Sequence, residues 1–166
     1  APVSFAQVSY RPLHTFRFVN AASVGRWARY HWEPELGIAG QPVAELAKQP
    51  HDHLFDEFEG RLRTGPVAFR LELELAQEGD PVDDPSVIWP AGRERVAVGR
   101  LELVRRITEA EIGDPVMLHD PTAFTDGIEI SPDDQIIAVR RGAYLVSVGE
   151  RTGGWERRGT LTSVSP

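Results

Sequence analysis

The chain contains no cysteine. Disulfides and thiolate metal sites are therefore excluded, while either redox compartment stays open. No apolar run is long enough to cross a bilayer, and the first residues carry no secretory pattern. Basic residues are fewer than acidic ones, 18 against 25, and they are scattered, for a formal net charge of −7. That distribution leaves no electrostatic footprint for nucleic acid. No serine sits in a nucleophile-elbow pattern, and no glycine-rich loop suits a phosphate. The expectation is a cytoplasmic protein with neither nucleic-acid nor membrane partners. The first residue is Ala1 rather than methionine, which suggests sequence upstream.

What is present suits one domain. The 166 residues are 41% hydrophobic, enough to bury a core. His14 to Val19 and Arg26 to Trp32 alternate apolar with polar residues and read as strands. Glu33-Pro34 stops the second, and Asn20 to Gly25 suits the hairpin turn between them. Pro42 to Arg63 has helical spacing, which Pro50 divides in two, with Asp52 as N-cap of the second part and Gly65-Pro66 as its stop. Phe69, Leu71, Leu73 and Leu75 alternate with Arg70, Glu72 and Glu74, the pattern of a half-buried strand. Residues 79 to 90 are rich in Gly, Pro and Asp and form a loop. Val96 to Val104 is a fourth strand. Residues 109 to 117 hold a helical turn, and 123 to 130 are irregular. Pro132 to Val148 is the last helix, with Asp133 and Asp134 in its first turn, where the dipole favours acids. Four antiparallel strands do not close a barrel, so two edges need cover from a helix, from another segment or from a second copy of the chain.

Within the last helix, Arg140 and Tyr144 are four apart and share a face. A free tyrosine keeps its proton to a pH of about 10. A cation beside a phenol favours the anion, which then has a partner the neutral form cannot use. Spacing alone fits equally an ordinary packed tyrosine with a surface arginine beside it. His51 and His53, with Asp52 and Asp56 near, have tolerable zinc spacing, but three ligands are not evident. Asp83-Asp84 and Asp133-Asp134 are adjacent pairs whose members do not face each other, so they read as caps or solvated loop.

Seven segments, read in order, resemble the second half of a haem catalase domain. The match is closest to the compact, catalase-related peroxidase branch. They are Tyr10 to Asn20; Arg29 to Ile38; Leu54 to Phe58 with Gly65-Pro66; Asp83 to Pro90; Val98 to Leu103; Asp126 to Asp133; and Tyr144 on the helix that this last segment opens. The resemblance implies an α+β fold, an antiparallel four-stranded sheet that is half of a catalase-type barrel, flanked by helices. It implies one partial domain over 1–166: barrel strands with inserted helices over 1–107, an irregular segment over 108–130, a proximal haem helix over 131–150 and a tail over 151–166. By the same resemblance the cofactor is haem b and Tyr144 is the iron ligand, bound as phenolate. Tyrosine-ligated haem iron is the catalase arrangement. Arg140 stabilises the phenolate, Asp134 and His14 hold the Arg140 guanidinium, and Arg151 pairs with a haem propionate.

Three departures stand out. His119 precedes Asp120-Pro121 where the family usually has phenylalanine, which places His119 beside the cofactor. The spacing from Ser131 to Arg140 is one residue longer than usual, and Asp134, six before Arg140, takes the aspartate role. The family's distal histidine and asparagine lie upstream of the matched region, so this chain is expected to lack both. The implied activity is on hydrogen peroxide or organic peroxides, weak in this segment alone. Two alternatives remain: a haem-free half-barrel that forms a homodimer or pairs with a missing N-terminal half, and a relative that rearranges hydroperoxides at haem.

Overall fold

The computed structural model describes residues 1–112 and 120–152. A single 3₁₀ turn at Phe5–Gln7 leads into strands β1 (Phe16–Val19) and β2 (Gly25–Pro34). Helices α1 (Val43–Leu46) and α2 (His53–Thr64) precede β3 (Val67–Leu75) and β4 (Arg95–Leu103). A short α3 (Glu109–Ile112), strand β5 (Ile128–Ile130) and the long α4 (Gln135–Arg151) complete the order. The five strands form one antiparallel sheet in the order β4-β3-β2-β1-β5. The fold class is α+β.

The period-two pattern gives the sheet two unlike faces. Register pairs Phe16 with Ala28 and with Ile130, Tyr30 with Leu73, Trp32 with Leu71, and Phe69 with Leu101. All of these lie on one apolar face. The opposite face carries ion pairs between neighbouring strands, Arg17–Glu129 at 2.6 Å and His31–Glu74 at 2.8 Å, and one that reaches across β3 from β4 to β2, Arg95–Glu33 at 3.2 Å. The core sits at one end of the apolar face. There Ala6, Val67 and Phe69 pack with Trp32, Phe58, Leu62 and Leu103, so the 3₁₀ turn and α2 cover that end.

The β1–β2 hairpin is present, its turn held by the Asn20 side chain, whose Oδ1 accepts the amides of Ala22 and Val24 at 3.0 Å. Pro50 separates α1 from α2. Asp52 occupies the N-cap position of α2, but its carboxylate makes no cap bond; it bonds the neighbouring His51 at 2.9 Å. Pro34 is the last residue of β2, opposite Phe69. A proline fits there because it ends the ladder rather than interrupting it.

The four-stranded sheet expected from the sequence is corrected to five strands. Residues 123–130 read as irregular, yet Ile128–Ile130 pairs with β1 through Phe16, Arg17 and Phe18. Three residues are too few to carry a periodic signal. The strand exists because the β1 edge offers unpaired backbone groups that need partners. Gly127 makes the approach possible. Its φ is +83°, its carbonyl accepts the Val19 amide at 2.8 Å, and a Cβ there would sit 3.0 Å from the Val19 oxygen.

Candidate functional site

The site is built at the N-terminal end of α4. The sequence suggested that Asp133 and Asp134 lie within the first turn; instead the helix begins at Gln135 and Asp134 is its N-cap. Its Oδ1 accepts the Ile136 amide at 3.1 Å and the Ile137 amide at 3.0 Å, which satisfies two of the helix's unpaired donors. Ile137 is fully buried at this end of the helix. Asp134 is itself only 3% exposed, and its Oδ2 accepts the His14 Nδ1 proton at 2.7 Å.

His14, 2% exposed, lies just before β1. Its Nε2 is 3.0 Å from Arg140 Nη1. A guanidinium only donates, so Nε2 supplies the lone pair and the imidazole proton sits on Nδ1, facing Asp134. Arg140 Nη2 donates to the Tyr144 hydroxyl oxygen at 2.9 Å. The four side chains therefore form one ordered chain, Asp134–His14–Arg140–Tyr144, which joins positions 130 residues apart in sequence. The expectation that Asp134 and His14 both grip Arg140 is corrected. His14 is the group against Arg140, and Asp134 holds His14 while capping the helix.

Tyr30, from the apolar face of β2, belongs to this neighbourhood. It stacks on Phe16 with centroids 5.3 Å apart. Burial pushes its phenol above the ordinary range, and the Arg140 charge opposes that shift. The sequence pattern put Tyr30 on the apolar side of a strand but gave no sign that it lies within range of the charge of an arginine more than a hundred residues later.

Arg151 is the last residue of α4, so the helix persists seven residues beyond Tyr144, and its Nε donates to the Ser147 carbonyl at 3.3 Å. His119 lies outside the described residues. His51 is almost wholly exposed, and His53 bonds the Pro50 carbonyl; among the described residues no three-ligand metal cluster forms. Asp84 closes a loop turn on Ser86, whose hydroxyl and amide hold its carboxyl below the usual range.

The donor set suits a tyrosine-ligated metal group. The half-buried Tyr144 oxygen receives one bond from a guanidinium, and no other group among the described residues bonds it. A lone pair is left for an external partner, next to a cation that suits an anionic oxygen.

Comparison with known proteins bears on the same residues. No family model matches the chain. A catalase-related peroxidase of Mycolicibacterium paratuberculosis is 36% identical over 152 residues, 92% of this chain and 48% of that protein. One of Synechococcus elongatus is 33% identical over 153 residues, 92% of this chain and 45% of that protein. The chain is part of a catalase-type domain. It spans about half the length of these two relatives. Solved catalases share the fold. Catalase A from Saccharomyces cerevisiae superposes with a TM-score of 0.78 at 17% identity, over 92% of this chain and 33% of that one. A bacterial catalase gives 0.77 at 21% identity, over 92% and 32%. The α+β fold with its open antiparallel sheet thus recurs in solved catalases. Among the described residues no helix is long and apolar enough to cross a membrane.

Proposed function

We propose that this segment forms the proximal side of a haem site in a protein acting on hydrogen peroxide or organic peroxides. Tyr144 would hold haem b iron and α4 would be the proximal helix, set against half of a barrel. The observation that carries this reading is the 2.9 Å bond from Arg140 Nη2 to the Tyr144 oxygen, at the end of a chain of buried partners. Its support from relatives is that two proteins described as catalase-related peroxidases align over 92% of the chain.

Haem, when bound, supplies the redox chemistry of peroxide reduction. The work of the chain's own residues is positioning and charge. Arg140 holds the Tyr144 oxygen and neutralises its charge. His14 fixes one edge of the guanidinium, and Asp134 fixes the tautomer and angle of His14, as outer partners do around metal ligands. Arg151, two turns beyond Tyr144, would pair with a propionate. Because the segment supplies one side of the site, acid–base groups from the rest of the domain complete catalysis, and the segment alone is a poor catalase.

The test is titration of the purified chain with haemin. The wild type gives a Soret band and charge-transfer bands of tyrosine-ligated ferric haem, and Tyr144→Phe loses them. Identical spectra for the two proteins overturn the reading. A second reading, a haem-free half-barrel that self-associates, is favoured by apolar residues on the open face and edge, such as Leu101 at 38% exposure and Val98 at 51%. Sedimentation of the haem-free chain as an 18.4 kDa monomer would dismiss it.

A further inference from the structure

The long β3–β4 loop is fastened to the charged face of the sheet through the Arg29 side chain. Its Nη1 donates to the Val87 carbonyl at 2.8 Å and its Nη2 to the Asp84 carbonyl at 3.4 Å. Its Cζ lies 4.3 Å from the centroid of the buried Trp89 ring, whose Nε1 donates to the Pro81 carbonyl at 2.9 Å. The remaining nitrogen, Nε, donates to Thr15 Oγ1 at 3.2 Å. Thr15 is 3% exposed and directly follows His14. The β1 ladder begins only at Phe16, so no ladder bond fixes the backbone at His14. One flat guanidinium thus ties the loop to the residue beside the imidazole that touches Arg140.

We infer that Arg29 is a positioning residue for the Asp134–His14–Arg140–Tyr144 chain. By clamping Thr15 it sets the backbone from which His14 reaches Arg140. The functional meaning rests on the haem reading above, but the positioning does not require haem to be present. Lysine cannot replace the clamp, because an ammonium lacks the planar fork that reaches three acceptors beneath an indole ring.

The test is ¹⁵N-edited NMR of the imidazoles in the haem-free 166-residue chain, with His14 assigned by comparison with His14→Gln. In the wild type the Nδ1 proton, held by the buried Asp134, gives a low-field signal that exchanges slowly. Arg29→Met loses that signal, Arg29→Lys does not restore it, and Thr15→Val loses it with Arg29 intact. The double variant Arg29→Met/Thr15→Val is no worse than Arg29→Met alone. If Arg29→Met and Thr15→Val lower the melting temperature but leave the His14 signals at their wild-type positions, Arg29 anchors only the loop and the inference is overturned. Should Arg29→Met fail to fold, Thr15→Val decides by the same signal. Failure of the haem reading is separate: it shows as identical haemin spectra for wild type and Tyr144→Phe, whatever the His14 signals do.

Discussion

Asp134 serves two structures with one carboxylate. One oxygen caps α4 and the other receives the buried His14 proton. Asp134→Ala should cost about 1 kcal/mol for the cap and about 1–3 kcal/mol more for the stranded imidazole donor. Asp134→Asn keeps a single accepting oxygen, enough for the cap or for His14 but not both, and should recover only the part of the loss that belongs to one role; urea unfolding of the two variants measures the difference. A second residue-scale prediction concerns His31, 4% exposed, with Nε2 on Glu74 and no partner for Nδ1 among the described residues. Burial pushes this imidazole below its ordinary value of 6.5, the Arg95 and Arg11 charges add to the shift, and the Glu74 hydrogen bond and charge oppose it. The unfolded chain therefore takes up the proton first as pH falls. The contribution of His31 to stability is complete above about pH 6.5 and is lost as pH drops towards the folded value. Chemical denaturation between pH 7.5 and 5.5 should show a steeper loss for wild type than for His31→Gln. Equal slopes would remove His31 from the acid response.

At the scale of elements, legibility followed length. β3 announced itself through the seven alternating residues from Phe69 to Leu75, and α4 through a stretch of seventeen. β5 has three residues and was invisible, because its stability comes from the β1 edge rather than from its own pattern. Gly127 is the hinge of that pairing. Gly127→Ala places a Cβ 3.0 Å from the Val19 oxygen at a φ of +83° and should destabilise by about 1 kcal/mol or more. Amide hydrogen exchange should quicken at Val19 and along β5 while β3 stays protected; uniform exchange would show that β5 does not open separately. The candidate site was readable in part. Arg140 and Tyr144 stand one turn apart, so helical spacing alone brought them together. The partnership of His14 with Asp134 spans 120 residues, and the family resemblance supplied both names but not their order.

At the scale of the whole molecule, one sheet face is charged and the other apolar, and α2 with the 3₁₀ turn covers only part of the latter. An apolar groove of about 410 Å³ remains between Phe5, Tyr10, Phe55 and Leu101, and another of about 280 Å³ between Phe16, Tyr30, Leu73 and Phe124. Grooves of this kind bind hydrophobic dyes in the native state. Anilinonaphthalene sulfonate should fluoresce with the folded wild type, and Leu101→Glu should weaken that signal with little change in melting temperature, since Leu101 is 38% exposed. A loss of stability as large as that of a core substitution would show the groove to be closed in solution. The exposed ion pairs of the charged face, at Arg17 and Arg100, add little by comparison, because water and salt screen them.

By itself the sequence determined the class of the fold, the alternation that makes a two-faced sheet, the helix carrying Arg140 and Tyr144, and the kinship with catalase-related peroxidases. Those properties reside in contiguous residues and in ordered motifs. The tertiary structure alone decided the fifth strand, the place of His14 between Asp134 and Arg140, the nearness of Tyr30, and the clamp at Arg29. Each of these depends on groups far apart in the chain meeting at hydrogen-bond or packing distance, which local spacing does not encode.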